Sequence, residues 1–103
     1  MSDIICREKH LPAASELLSR SEFLELTGLA ESLLQELEQL DWLSLVRTRE
    51  SVLFSGRDVY RTRKLARLCE DFELPALGGS IVVDLLERID ELEREVARLR
   101  HFS

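Results

Sequence analysis

The chain has 103 residues, 45% of them apolar and 33% charged, which suits one small domain with a core built mostly from Leu and Val. Its formal net charge is −6, and no apolar run of about 18 residues exists, so a transmembrane helix is not expected. Cys6 and Cys69 lie far apart without metal-ligand spacing, so reduced thiols in a cytoplasmic protein are the expectation.

The opening residues "MSDIICREKH" are too polar for a signal peptide. "DIIC" can form a short strand, and His10 to Ala14, with Pro12, reads as a loop or a frayed end. Residues 1–17 are therefore expected to be poorly ordered.

The first firm element begins at "SRSE". Ser19 stands three residues before Glu22, a capping box that satisfies two free backbone N–H groups, with Leu18 and Phe23 at the staple positions around it. This helix runs to Thr27, and Gly28 supplies a left-handed stop. A second helix covers about residues 30–40, with Leu33, Leu34, Leu37 and Leu40 as its buried stripe.

"LVRTRESVLFSG" holds two β-prone runs, Leu45–Val46 and Val52–Phe54, around a polar "RTRES", and so reads as a small hairpin wing. "SGRD", Ser55 to Asp58, is a second capping signature. A third helix should run from Arg57 to about Phe72, burying Val59, Leu65, Leu68, Cys69 and Phe72. Pro75 suits the start of a last helix that reaches about Arg100. Gly78 and Gly79 either break that helix or permit close backbone packing; close packing is the expectation.

The last helix carries a heptad pattern. Val82, Ile89 and Val96 fall at position a, and Leu85, Leu92 and Leu99 at position d. Residues 81–86 can lie on the chain's own domain, but residues 89–100 extend too far for it to cover. The pattern predicts a homodimer seam, with Arg88, Glu93, Glu95 and Arg100 on its flanks; these charges can be matched in either orientation. The organisation is thus an N-terminal segment (1–17), a winged helix-turn-helix-like domain (18–74) and a C-terminal helix with a coiled-coil seam (75–103).

Charge is segregated along the chain. Residues 1–41 carry nine acids against three bases, and residues 70–103 carry nine against four. Residues 42–69 reverse this, with seven bases (Arg47, Arg49, Arg57, Arg61, Arg63, Lys64 and Arg67) against Glu50 and Asp58. In a DNA-binding helix-turn-helix the second helix enters the major groove. Here "LAESLLQELEQLDWL" (29–43) holds Glu31, Glu36, Glu38 and Asp41 and no base. Trp42, the single Trp, can anchor a partner; packing at the wing base is the expectation.

No enzyme chemistry is legible. His10 and His101 lack metal-ligand partners, and Gly78–Gly79 lacks the Lys and the spacing of a phosphate loop. Neither a metal nor a cofactor is expected.

A helix-turn-helix, a wing, a third helix and a dimerising last helix together resemble the MerR-type winged-helix family over residues 18–100, with "TGL" in the turn. The implied fold is mostly α, with a small β-hairpin wing and a long C-terminal dimerisation helix. MerR-type regulators usually carry an Arg-Tyr-Tyr run in the second helix; here those positions read Gln35, Glu36 and Leu37. The length, the acidic second helix and "DLLERIDELEREVARLR" (Asp84 to Arg100) are similar to the CbpM-type chaperone-modulatory branch. That branch binds the J-domain of a DnaJ-like co-chaperone, CbpA, and blocks its partnership with DnaK. J-domains present a basic helix to DnaK. The resemblance therefore implies a partner surface at Glu31, Gln35, Glu36, Glu38 and Asp41. The alternative is a DNA-binding regulator that touches phosphates through the bases from Arg47 to Arg67.

Overall fold

A computed structural model describes residues 12–102. The elements are β1 (Leu17–Leu18), α1 (Arg20–Thr27), α2 (Glu31–Gln39), β2 (Leu45–Arg47), β3 (Val52–Ser55), α3 (Arg57–Phe72) and α4 (Ala76–Phe102). This is the mostly helical winged helix-turn-helix architecture that the sequence implies, ending in a 27-residue helix.

The capping box forms as read. Ser19 Oγ accepts from the Glu22 N–H, and Glu22 Oε1 accepts from the Ser19 N–H at 2.9 Å. Gly28 ends α1 with φ 71°, where an L side chain would be strained. Thr27, buried in this turn, donates to the Phe23 carbonyl and accepts from the Leu29 N–H. That closes the corner between α1 and α2.

The wing is antiparallel, with Leu45 opposite Phe54, Val46 opposite Leu53 and Arg47 opposite Val52. Thr48 and Ser51 close its tip. The sheet has three strands in the order β1-β3-β2, since Leu17 and Leu18 pair with Ser55 and Phe54. Residues 13–17, read from the sequence as part of a loose N-terminal segment, bond to the sheet and to the start of α3. The Ala14 carbonyl accepts from the Arg57 N–H and from Ser55 Oγ, and the Glu16 carbonyl accepts from the Gly56 N–H at 2.8 Å. Gly56 is required there, because a Cβ would lie 2.1 Å from the Ala13 carbonyl oxygen. The possible strand at "DIIC" lies outside the described residues.

Leu18, Phe23, Leu34, Leu37, Phe54 and Leu65 are fully buried and form the centre of the core. The rings of Phe23 and Phe54 stack at 4.7 Å, fastening α1 to the sheet. Two residues read as core are not: Leu40 is 41% exposed and Phe72 is 66% exposed. Both lie where a helix leaves its packed face. Leu40 caps α2, and the backbone then turns left-handed at Asp41 (φ 55°); after Phe72 it does so at Glu73 (φ 52°). The second capping signature forms only in part: Ser55 Oγ accepts from the Arg57 N–H at 3.2 Å. Asp58 does not serve the start of α3; it is buried and accepts from the Ser44 N–H at 2.6 Å, tying α3 to the base of the wing.

Helix α4 runs unbroken through Gly78 and Gly79. Gly79 is buried against α3, and a Cβ on it would fall 2.6 Å from Cys69 Sγ. Close packing is thus the role of Gly79. Gly78 faces only ordinary contacts.

Candidate functional site

Helix α2 carries Glu31, Gln35, Glu36 and Glu38 on a nine-residue element of about two and a half turns, held down by Leu34 and Leu37. Glu31, Gln35 and Glu38 stand at i, i+4 and i+7 and share one side. Glu36 is turned roughly 140° from Glu31 at 3.6 residues per turn. The predicted residues therefore form two groups. Glu36 lies toward α3, where its charge reinforces burial in pushing the Cys69 thiol above its ordinary value. Asp41 lies past the helix in the left-handed position of its C-terminal cap. Its N–H donates to the Glu38 carbonyl, and the Trp42 N–H donates to the Leu37 carbonyl.

The first group is not purely acidic. Arg20 of α1 donates to Glu38 Oε1 at 2.6 Å and to Glu31 Oε1 at 3.2 Å. The hydrogen bond to Glu38 is the main reason that the guanidinium is held above its ordinary pKa. Sequence reasoning missed this pairing, although a signal existed: Arg20 is the only base between Lys9 and Arg47. Gln35, Glu36 and Asp41 are exposed. The outward surface of α2 remains net negative and has no base of its own.

Trp42 packs at the wing base. The Arg61 guanidinium lies over its ring at 3.8 Å and donates to its carbonyl at 2.9 Å. Arg61 also reaches Asp84 at 2.7 Å and Glu87 at 3.1 Å on α4. Arg61 therefore leaves the basic group read from the sequence and becomes an internal clasp. Arg47, Arg49, Arg57, Lys64 and Arg67 are exposed, Arg63 is half-buried, and none of them forms an ion pair among the described residues.

The seam of α4 is uncovered. Leu85, Ile89, Leu92, Val96 and Leu99 are all exposed, and Val82 is half-buried. Ala76, Gly79, Ser80 and Val83 face the domain. Ala76 and Leu85, nine residues apart, are about half a turn out of phase, so seam and domain lie on opposite sides of the helix. Every residue from Arg88 to Phe102 is exposed, so the distal half of the seam has no cover from the other described residues.

Among the described residues no group of three or more His, Cys, Asp or Glu could hold a metal ion. No helix among the described residues is long and apolar enough to cross a membrane. A family model described as MerR HTH family regulatory protein matches residues 18–101. No curated protein and no solved structure matches the chain.

Proposed function

The chain belongs to the MerR HTH family of regulatory proteins, and from that premise we propose that it is a non-enzymatic chaperone modulator. It binds the J-domain of a DnaJ-like, CbpA-type co-chaperone through α2 and inhibits that co-chaperone's action on DnaK. The observation that carries this reading is the charge of α2. The helix in the reading position of a helix-turn-helix offers Glu31, Gln35 and Glu36 to solvent, with Glu38 half-buried beside them, and has no base. Phosphates would be repelled there, whereas a basic helix would be attracted. Arg20 tempers two of the acids, so recognition combines the free Glu36 and Asp41 with the Arg20-bridged pair. The working form is a homodimer joined along Val82, Leu85, Ile89, Leu92, Val96 and Leu99, and it acts in the cytoplasm.

The test is calorimetry of the purified chain against a J-domain from a DnaJ-like protein. The expected result is saturable association that weakens as salt rises. Absence of heat at low salt, with both proteins folded, overturns the proposal.

One observation favours a second reading, a DNA-binding transcriptional regulator: the unpaired bases on the wing and α3 lie where a wing and its following helix touch phosphates. Backbone contact alone confers little sequence specificity. A footprint on a defined operator at physiological salt would select this reading. Weak, salt-labile association with any duplex would not.

A further inference from the structure

The basic side of α3 is a surface that neither the acidic helix nor the seam uses. Arg57, Tyr60, Lys64 and Arg67 follow at i, i+3, i+7 and i+10 and are all exposed. They line one side of the helix over roughly 15 Å. Tyr60, 61% exposed, is central, with Lys64 Nζ 4.8 Å from its ring centroid. Acids outnumber bases 20 to 14 in this chain. Yet Arg57, Lys64 and Arg67 pair with none of them among the described residues, while Arg20, Arg61, Arg88 and Arg94 are all engaged.

The tract is also finite. Beyond Arg67 the chain turns acidic at Glu70, Asp71 and Glu73, all exposed. A nucleic-acid backbone continues its charge beyond such a tract and would meet those acids at the C-terminal end. A protein segment of limited length would not. An exposed Tyr among bases is also a typical anchor for protein contact.

We propose that this side of α3 docks an acidic segment of another protein. That segment carries three or four carboxylates along about 15 Å, set around one apolar side chain that covers the Tyr60 ring. The surface is separate from α2, so it can be occupied while α2 holds its own partner.

The experiment uses the full chain and a fluorescein-labelled, helix-prone peptide. The peptide has Glu at i, i+3, i+7 and i+10 and a central Leu. A random-sequence DNA duplex of similar length is the second probe. At physiological salt the peptide is expected to bind, and amide chemical-shift changes should concentrate on residues 57–67. Arg57→Glu, Lys64→Glu and Arg67→Glu combined should weaken binding at least about tenfold, the loss expected when several charge contacts are reversed together. The melting temperature should not change, because all three side chains are exposed. Tyr60→Ala, or Leu→Ser in the peptide, should cost several-fold. Affinity of the triple variant for a J-domain should equal that of wild type, which separates this proposal from the function of α2. No peptide binding, equal binding by the triple variant, or a duplex that binds more tightly than the peptide would each overturn it. The last outcome would make the surface a phosphate-backbone site.

Discussion

The indole N–H of Trp42 donates to Asp84 Oδ1 at 2.9 Å, joining the chain just past α2 to the root of α4. Arg61 completes the joint, stacked on the indole and bonded to the Trp42 carbonyl, Asp84 and Glu87. Arg61→Ala removes the cation from all of these partners at once. The expected loss is on the order of 1–3 kcal/mol, more than an exposed ion pair gives. The intrinsic fluorescence of the single Trp should shift to the red as solvent reaches it. Arg61→Lys should recover only part of the stability, since an ammonium cannot match the planar fork. A melt and emission spectrum unchanged in Arg61→Ala would show that the clasp contributes nothing.

The exposed seam predicts a dimer that one pair of substitutions dissolves. Ile89→Asp with Leu92→Asp should give a folded monomer by light scattering, because both side chains are already solvent-exposed in the single chain. A wild-type monomer at tens of micromolar, roughly the range of ordinary weak dimers, would reject the seam as an interface.

Reversal of α2 should separate binding from folding. Glu31→Lys, Glu36→Lys and Glu38→Lys combined should abolish J-domain association. Any one alone should cost about 0–1 kcal/mol, the usual value of an exposed pair. The triple variant sets two lysines beside Arg20, so a small drop in melting temperature is also expected. If calorimetry finds the triple variant binding like wild type, α2 is only a solvated face.

The two adjacent glycines should respond oppositely to alanine. Gly78→Ala gains about 1 kcal/mol of helix propensity and meets only ordinary contacts, the nearest at 3.6 Å. Gly79→Ala makes the same gain but forces Cys69 to move, an overpacking cost of about 1–3 kcal/mol. Thermal melts should rank Gly78→Ala above wild type and Gly79→Ala level with it or below. Equal stabilisation by both would mean that α3 and α4 are not tightly packed at that point.

Acid should erase the capping box. The Ser19 N–H holds the Glu22 carboxyl below its ordinary value of 4.5. A depressed folded-state value means that the carboxylate's contribution is complete above about 4.5 and is lost as pH falls through the lower, folded value. The melting-temperature difference between wild type and Glu22→Gln should therefore be constant near neutrality and shrink as pH drops below the ordinary carboxylate range. A gap that is independent of pH would show that Glu22 acts through packing and not through charge.

Features whose chemistry is local were legible in the sequence. The Ser19–Glu22 box, the Gly28 stop, the wing and the length of α3 all depend on residues within a few positions of one another. The heptad pattern of α4 was equally plain, and its residues from Leu85 onward are exposed. The misses are long-range or terminal. β1 is two residues long and exists because β3 is there to pair with it. Arg20 and Arg61 read as members of a charge count, yet their partners lie on other helices. Asp58 looked like a cap because capping residues and buried acceptors share one chemistry, and only the approach of Ser44 distinguishes them. Leu40 and Phe72 kept the apolar period into a final turn that had already left the core.

The start of α3 is completed by carbonyls from far upstream. Gly56 and Arg57 offer their N–H groups to Glu16 and Ala14, which precede the family match at residue 18. Truncation to Leu18 would strand the Gly56 amide, leave the Arg57 N–H to Ser55 Oγ alone, and expose the notch that Gly56 keeps for Ala13. The smallest piece of this protein able to fold cooperatively therefore begins ahead of its family boundary.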